Sequence, residues 1–175
     1  MTTFMAVGQV AEWLEERGLL GQKRYEGLEE VDHAKLVRVR FFGLPGSASA
    51  NIMLGDILAP LFEDEDEVLL YVDGWGEPPD YYADAHLFDR FRQALGEKTS
   101  VQEKPGNLFY PGDYADLLSM LRLMLLFGWG ANVIASSGKV LVRIFDYDCG
   151  ELYASDPALL DQELLDQLDH QVESN

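Results

Sequence analysis

The segment DYADLLSMLRLMLLF at 113–127 is apolar on nearly every side, with Asp113, Asp116, Ser119 and Arg122 recurring at intervals of three. A helix with so narrow a polar stripe has to lie under other elements. Its apolar core, LLSMLRLMLLF, is 11 residues long and carries Arg122, whereas a bilayer span takes roughly 20 apolar residues. The segment therefore predicts a buried helix of a soluble protein. EVLLYVDG at 67–74 makes a matching demand, because its unbroken Val68–Val72 run suits a central strand covered on both faces.

Around these two segments the chain alternates between strand and helix patterns. Ala6, Val10, Trp13 and Leu14 form a helical stripe across residues 3–17, with Thr2 or Thr3 as cap and Gly18 as stop. KLVRVRFF at 35–42 reads as a half-buried strand, with Val37, Val39 and Phe41 on one face and Arg38 and Arg40 on the other. GLPGSAS is a turn, and SANIMLGDILAPLF after it has helical period with Pro60 near its end. GWGEPPD is a Gly/Pro loop, DAHLFDRFRQAL (84–95) a short helix, and 96–112 a long irregular connection. NVIAS and KVLVRIF, joined at Ser137-Gly138, form the best hairpin signal, which ELYAS at 151–155 extends. Asp156 caps and Pro157 opens a final helix with Leu160, Leu164, Leu165, Leu168 and Val172 inward. This order predicts one α+β domain over 1–175, with a mixed or mostly antiparallel sheet of about four to five strands and helices packed on it.

The charge is −18, from 31 acids against 13 bases. Nucleic acid and anionic membranes repel such a chain, since phosphate binding requires Lys and Arg. The distribution sharpens this: the 49 residues between Arg40 and Arg90 hold 11 acids and no base, and the 32 residues after Arg143 hold nine acids and no base. A single cysteine, Cys149, suits a reducing compartment. The opening MTTFMAVGQVAEWLEERG has neither a basic leader nor an uninterrupted apolar run, so the cytoplasm is the expected location.

No catalytic pattern fits its surroundings. Ser136 and Lys139 match a Ser-x-x-Lys hydrolase signature, but that chemistry needs the first turn of a helix, and here the pair spans a hairpin turn. Cys149 has no histidine in a recognisable context among His33, His86 and His170, and buried structural cysteine is the ordinary case. His170 near a helix C-terminus is explained by the dipole. Two carboxylate groups suit hard cations: Asp146, Asp148 and Glu151, and Asp73, Glu77, Asp80, Asp84 and His86. Neither has the spacing of a calcium loop, so no metal or cofactor is assigned.

In LFEDEDEVLLYVDGWGEPPDYYADAHLFD the EDED run reads as a solvated tip, and DGWGEPPDYYAD reads as a contact surface. Trp75, Tyr81 and Tyr82 occupy or flank a Gly/Pro loop among Asp73, Glu77, Asp80 and Asp84. Aromatic anchors ringed by acids fit capture of a basic partner by steering and pocket filling. The expectation is a small acidic intracellular binding protein that neutralises or escorts a basic protein. Its concrete form is a bacterial immunity-type inhibitor of a nuclease-type toxin, with no direct nucleic-acid or membrane contact. Two alternatives stay open: an enzyme with a scattered, metal-assisted carboxylate site, and a DNA-mimic inhibitor.

Overall fold

The computed structural model describes residues 1–23, 29–75, 80–145 and 149–173. Its framework is an antiparallel sheet of seven strands, more than the four to five the sequence suggests. In chain order these are β1 (Thr3–Met5), β4 (Val37–Gly43), β5 (Val68–Gly74), β6 (Gly106–Phe109), β7 (Gly130–Ala135), β8 (Val140–Ile144) and β9 (Cys149–Ala154), and in space they run β1-β6-β5-β7-β8-β9-β4. A separate antiparallel pair, β2 (Leu20–Lys23) and β3 (Glu29–Val31), lies between β1 and β4 in the chain. The helices are α1 (Val7–Glu16), α2 (Ala48–Leu58), α3 (Asp80–Ala94), α4 (Tyr114–Phe127) and α5 (Gln162–Glu173). Among the described residues, no helix is long and apolar enough to cross a membrane.

Both faces of the sheet are covered, and the strand alternation sorts the side chains between them. Val68, Leu70 and Val72 of β5 join Val133, Val142 and Leu152 in a core completed by α2, α4 and α5. Leu69 and Tyr71 point the other way, with Ile134, Leu141 and Tyr153, against Val10, Trp13 and Leu14 of α1. The Val68–Val72 run is buried throughout, as a central strand requires. The apolar helix α4 has six fully or nearly buried residues, including Leu121, Met124 and Leu125. It ends because Gly128 adopts a left-handed φ of 65°, letting the Trp129 N–H bond to the Met124 carbonyl. Trp129 then enters the core between Phe88 and Phe127.

The C-terminal hairpin forms as its sequence suggests, with Gly138 at φ 66° in the turn and β9 pairing next to β8. Other expectations are revised. The helix read over 3–17 starts only at Val7: Thr3 belongs to β1, and Gln9, not a threonine, caps the first turn by accepting the Ala6 N–H at 3.0 Å. Pro157 opens a 3₁₀ turn at Pro157–Leu159, and α5 begins at Gln162. α3 begins at Asp80 rather than 84. The irregular 96–112 connection contains β6, which pairs with both β1 and β5.

β6 escapes a pattern search because GNLF has neither alternation nor length. Its buried Asn107 instead donates to the Leu70 and Pro105 carbonyls at 3.1 and 3.2 Å, and Gly106 is there because a Cβ would stand 2.5 Å from Val10 Cγ2. In β4 the strict alternation breaks at a bulge between Arg38 and Arg40. Arg38 pairs with Tyr153 and Arg40 with Leu152, so the two arginines face opposite sides, while Phe42 is buried and Phe41 is 58% exposed.

Phe42 lies against Gly150, where a Cβ would meet its ring carbons at 2.3 and 2.5 Å and the Arg143 carbonyl oxygen at 3.1 Å. Gly150→Ala is expected to lower stability by about 1–3 kcal/mol, the ordinary cost of overpacking. A urea melt of unchanged slope and earlier midpoint would show it; an unshifted midpoint would mean that the contact relaxes freely.

Candidate functional site

The acid run at 63–67 divides. Glu63, Asp64 and Asp66 are exposed, as a solvated tip would be, but Glu65 and Glu67 are half-buried and hold elements together. Glu67 Oε2 accepts from Trp13 Nε1 at 3.0 Å and from Arg17 Nη2 at 2.7 Å, and the Arg17 guanidinium lies 3.9 Å from the Trp13 ring centroid. Glu65 accepts from the Ser137 N–H and hydroxyl at 3.2 and 2.8 Å. Ser136 Oγ accepts the Glu67 N–H at 3.2 Å. The Ser136–Lys139 turn is thus clasped by the acid run, on a hairpin, with Lys139 exposed. That placement leaves Ser136 outside any helical Ser-x-x-Lys geometry.

The aromatic and acidic surface expected after β5 is placed only in part. Asp73 is half-buried near the end of β5, where its Oδ2 accepts from Asn132 Nδ2 at 3.0 Å. Trp75 is half-buried and packs against both apolar cores, so much of its ring supports the fold. Asp84 is half-buried on α3. Glu77 lies outside the described residues, as do the side chains of Asp80, Tyr81 and Tyr82, whose backbone forms the first turn of α3.

A polar cluster that the sequence did not flag sits between β4, β8 and β9, with Glu151 and Tyr153 buried and Arg38 58% exposed at its rim. Glu151 accepts from Arg38 Nη1 at 2.8 Å and from the Tyr153 hydroxyl at 2.6 Å, and the His33 ring packs on Tyr153 at 4.6 Å. Burial pushes the Glu151 carboxyl up, but the Tyr153 and Arg38 hydrogen bonds and the nearby Arg143 outweigh it and hold the group below the usual carboxylate range. Burial and the Glu151 carboxylate push the Tyr153 hydroxyl up to about 12. Glu151, proposed from sequence as a cation ligand, therefore has both oxygens engaged; Asp146 and Asp148 lie outside the described residues. Among the described residues no three His, Cys, Asp or Glu side chains gather as a metal site. Cys149 is half-buried at the start of β9 and His86 is exposed on α3.

Several basic residues are engaged in ion pairs within the protein, while Lys35, Arg90, Lys98 and Lys139 are exposed. Arg17 pairs with Glu67, Arg38 with Glu151, Arg40 with Asp169, Lys104 with Glu97 and Arg122 with Asp56. Pairing of Arg38 and Arg40 with nearby acids follows the ordinary expectation for a chain so rich in carboxylates. Arg92 is fully buried. It donates to the Lys104 carbonyl at 2.7 Å, lies over the Phe4 ring at 4.9 Å and approaches Asp89 at 3.5 Å. Asp89 in turn accepts the Val101 N–H, and Glu97 accepts the Lys98 and Thr99 N–H groups at 2.7 Å each. The 96–105 connection is therefore tied down by a buried arginine and two carboxylates.

One groove beside α2 and α5 gathers five acids, of which Asp56 is paired with Arg122. Its cavity of about 510 Å³ lies between α2 with the 3₁₀ turn Ala59–Phe62 and, opposite, α5 with the 3₁₀ turn before it. Asp56, Asp64, Glu65, Asp161 and Glu163 line it, and among the described residues its lining contains no Lys or Arg. Sequence inspection could not find it, because its two walls are about a hundred residues apart in the chain. No protein-family model, no curated protein and no solved structure matches this chain.

The Glu97 carboxyl is held at about 2, below its ordinary 4.5, because hydrogen bonds from Lys104, Thr99 and Lys98 outweigh the burial that would raise it. A depressed folded value means stability that is complete above pH 4.5 and is lost as pH falls toward 2. Glu97→Gln should cost about 1.5–3 kcal/mol at neutral pH, the worth of hydrogen bonds to a charged group. It should also flatten the acid dependence of the unfolding midpoint. Parallel pH profiles for the two proteins would refute the assignment.

Proposed function

We propose that this chain is a small acidic binding protein that captures a basic protein partner and neutralises or escorts it. Its concrete form is a bacterial immunity-type inhibitor of a toxin, with a nuclease-type toxin as the chemistry that matches. The observation that carries this reading is the fate of the charges. Arg17, Arg38, Arg40, Lys104 and Arg122 are taken up in ion pairs within the protein, while Glu63, Asp64, Asp66, Asp161, Glu163 and Asp166 stand exposed beside a smaller set of exposed cations, Lys35, Arg38, Arg90, Lys98 and Lys139. A surface of this kind attracts cationic proteins at long range and repels phosphates. The mechanism is occlusion: carboxylates pair with the Lys and Arg that a nuclease uses for phosphate, and aromatic side chains exclude water at the contact. Asp73, Trp75, Glu77, Asp80, Tyr81, Tyr82 and Asp84 are the contact residues this reading proposes, and the reducing cytoplasm is the compartment it implies.

Immobilised protein exposed to native host extract should retain one basic protein stoichiometrically, identified by mass spectrometry and still held after a high-salt wash. Asp80→Lys with Asp84→Lys should then slow association with that protein by about tenfold or more, with a weaker salt dependence. A mixture of cations eluting together as salt rises would show generic charge and remove the reading.

A further inference from the structure

The groove between α2 and α5 is more than an acidic patch, because apolar side chains line it among the carboxylates. Ile57 and Leu61 on one side face Leu159, Leu160 and Leu164 on the other, and Leu159 is 52% exposed. Three of the carboxylates already hold partners: Asp56 pairs with Arg122, Glu65 accepts from Ser137, and Asp161 accepts the Glu163 N–H at 2.9 Å. Asp64, Asp161 and Glu163 stand exposed along the groove, and among the described residues no Lys or Arg lines it. Exposed leucines flanked by solvated acids complement an occupant that is apolar on one side and cationic on its flanks. The cavity is large enough for several side chains. A second copy of this chain, at −18, would bring more acid to the same rim.

We infer that this groove seats a cationic amphipathic helix of a partner protein, whose leucine-like face enters between Leu159 and Leu61 while its Lys or Arg side chains meet Asp64, Asp161 and Glu163. A trough walled by two helical elements suits an occupant read at helical spacing. The inference rests on the binding reading above and places its partner at a surface separate from the end of β5.

The test uses the full chain and a synthetic Lys/Leu peptide of about 14 residues with leucines at i, i+3, i+4 and i+7. Its comparisons are a scrambled peptide of the same composition and oligolysine. The patterned peptide should bind about tenfold more tightly than either, and Glu163→Lys and Leu159→Ser, both at exposed positions, should each weaken it by about fivefold to tenfold. Glu12→Lys, an equal charge change on exposed α1 across the sheet, should have little effect. Equal binding of the scrambled peptide, or an equal loss in Glu12→Lys, would overturn the inference and leave only generic attraction. A native basic partner whose affinity ignores Glu163→Lys and Leu159→Ser would also overturn it while sparing the binding reading. Patterned-peptide binding with the expected losses, but no basic protein captured from extract, would keep the groove and remove the proposed partner.

Discussion

The structure depends on burying one strand, β5, from both sides. Val68, Leu70 and Val72 need one apolar layer and Leu69 and Tyr71 need another. The sheet therefore cannot be left open to water, and the chain supplies α1 for one face and α2, α4 and α5 for the other. Each buried leucine of this kind is worth roughly 1.5–3 kcal/mol of transfer free energy. The paired faces thus weigh more than any single polar contact. Antiparallel pairing then follows from short connections such as Ser137-Gly138 and from β6 slotting between β1 and β5.

On that frame, the electrostatics have a consistent direction. Several basic side chains are drawn inward or across element boundaries: Arg92 beneath the 96–105 connection, Arg17 between α1 and the start of β5, Arg40 between β4 and α5. A partly exposed pair such as Arg40 with Asp169 stabilises little, but such pairs change what the surface presents. A chain with 13 bases against 31 acids that pairs several of those bases internally shows its surroundings more carboxylate than cation. The acid excess thus becomes a property of the solvent-facing surface, which is where a partner would read it.

The candidate site was legible unevenly, for physical reasons that differ by residue. Asp73 and Trp75 were visible as polar and aromatic residues beside a Gly/Pro loop, but Trp75's packing on both cores depends on strands distant in the chain. Glu65 and Glu67 looked like two more acids in a run. Only the nearness of the β7–β8 turn and of α1 makes them clasps. Glu151 looked like a cation ligand until Arg38 and Tyr153 took both its oxygens. The groove carried no local signal at all, since neither wall is unusual by itself.

Hydrophobic period and backbone sterics dictate the elements whose burial is written into their composition: the all-round apolar α4, the doubly covered β5, and the β7–β8 hairpin with glycine where φ must be positive. These are local consequences, so one sequence suffices to read them. Long-range packing settled the rest. It made GNLF a strand, because two neighbours offer it partners, and it placed the bulge that turns Arg38 and Arg40 to opposite faces. It also brought Leu61 and Leu159 into one acid-rimmed groove. Each of these depends on distances between segments far apart in the chain, and no local pattern encodes such a distance.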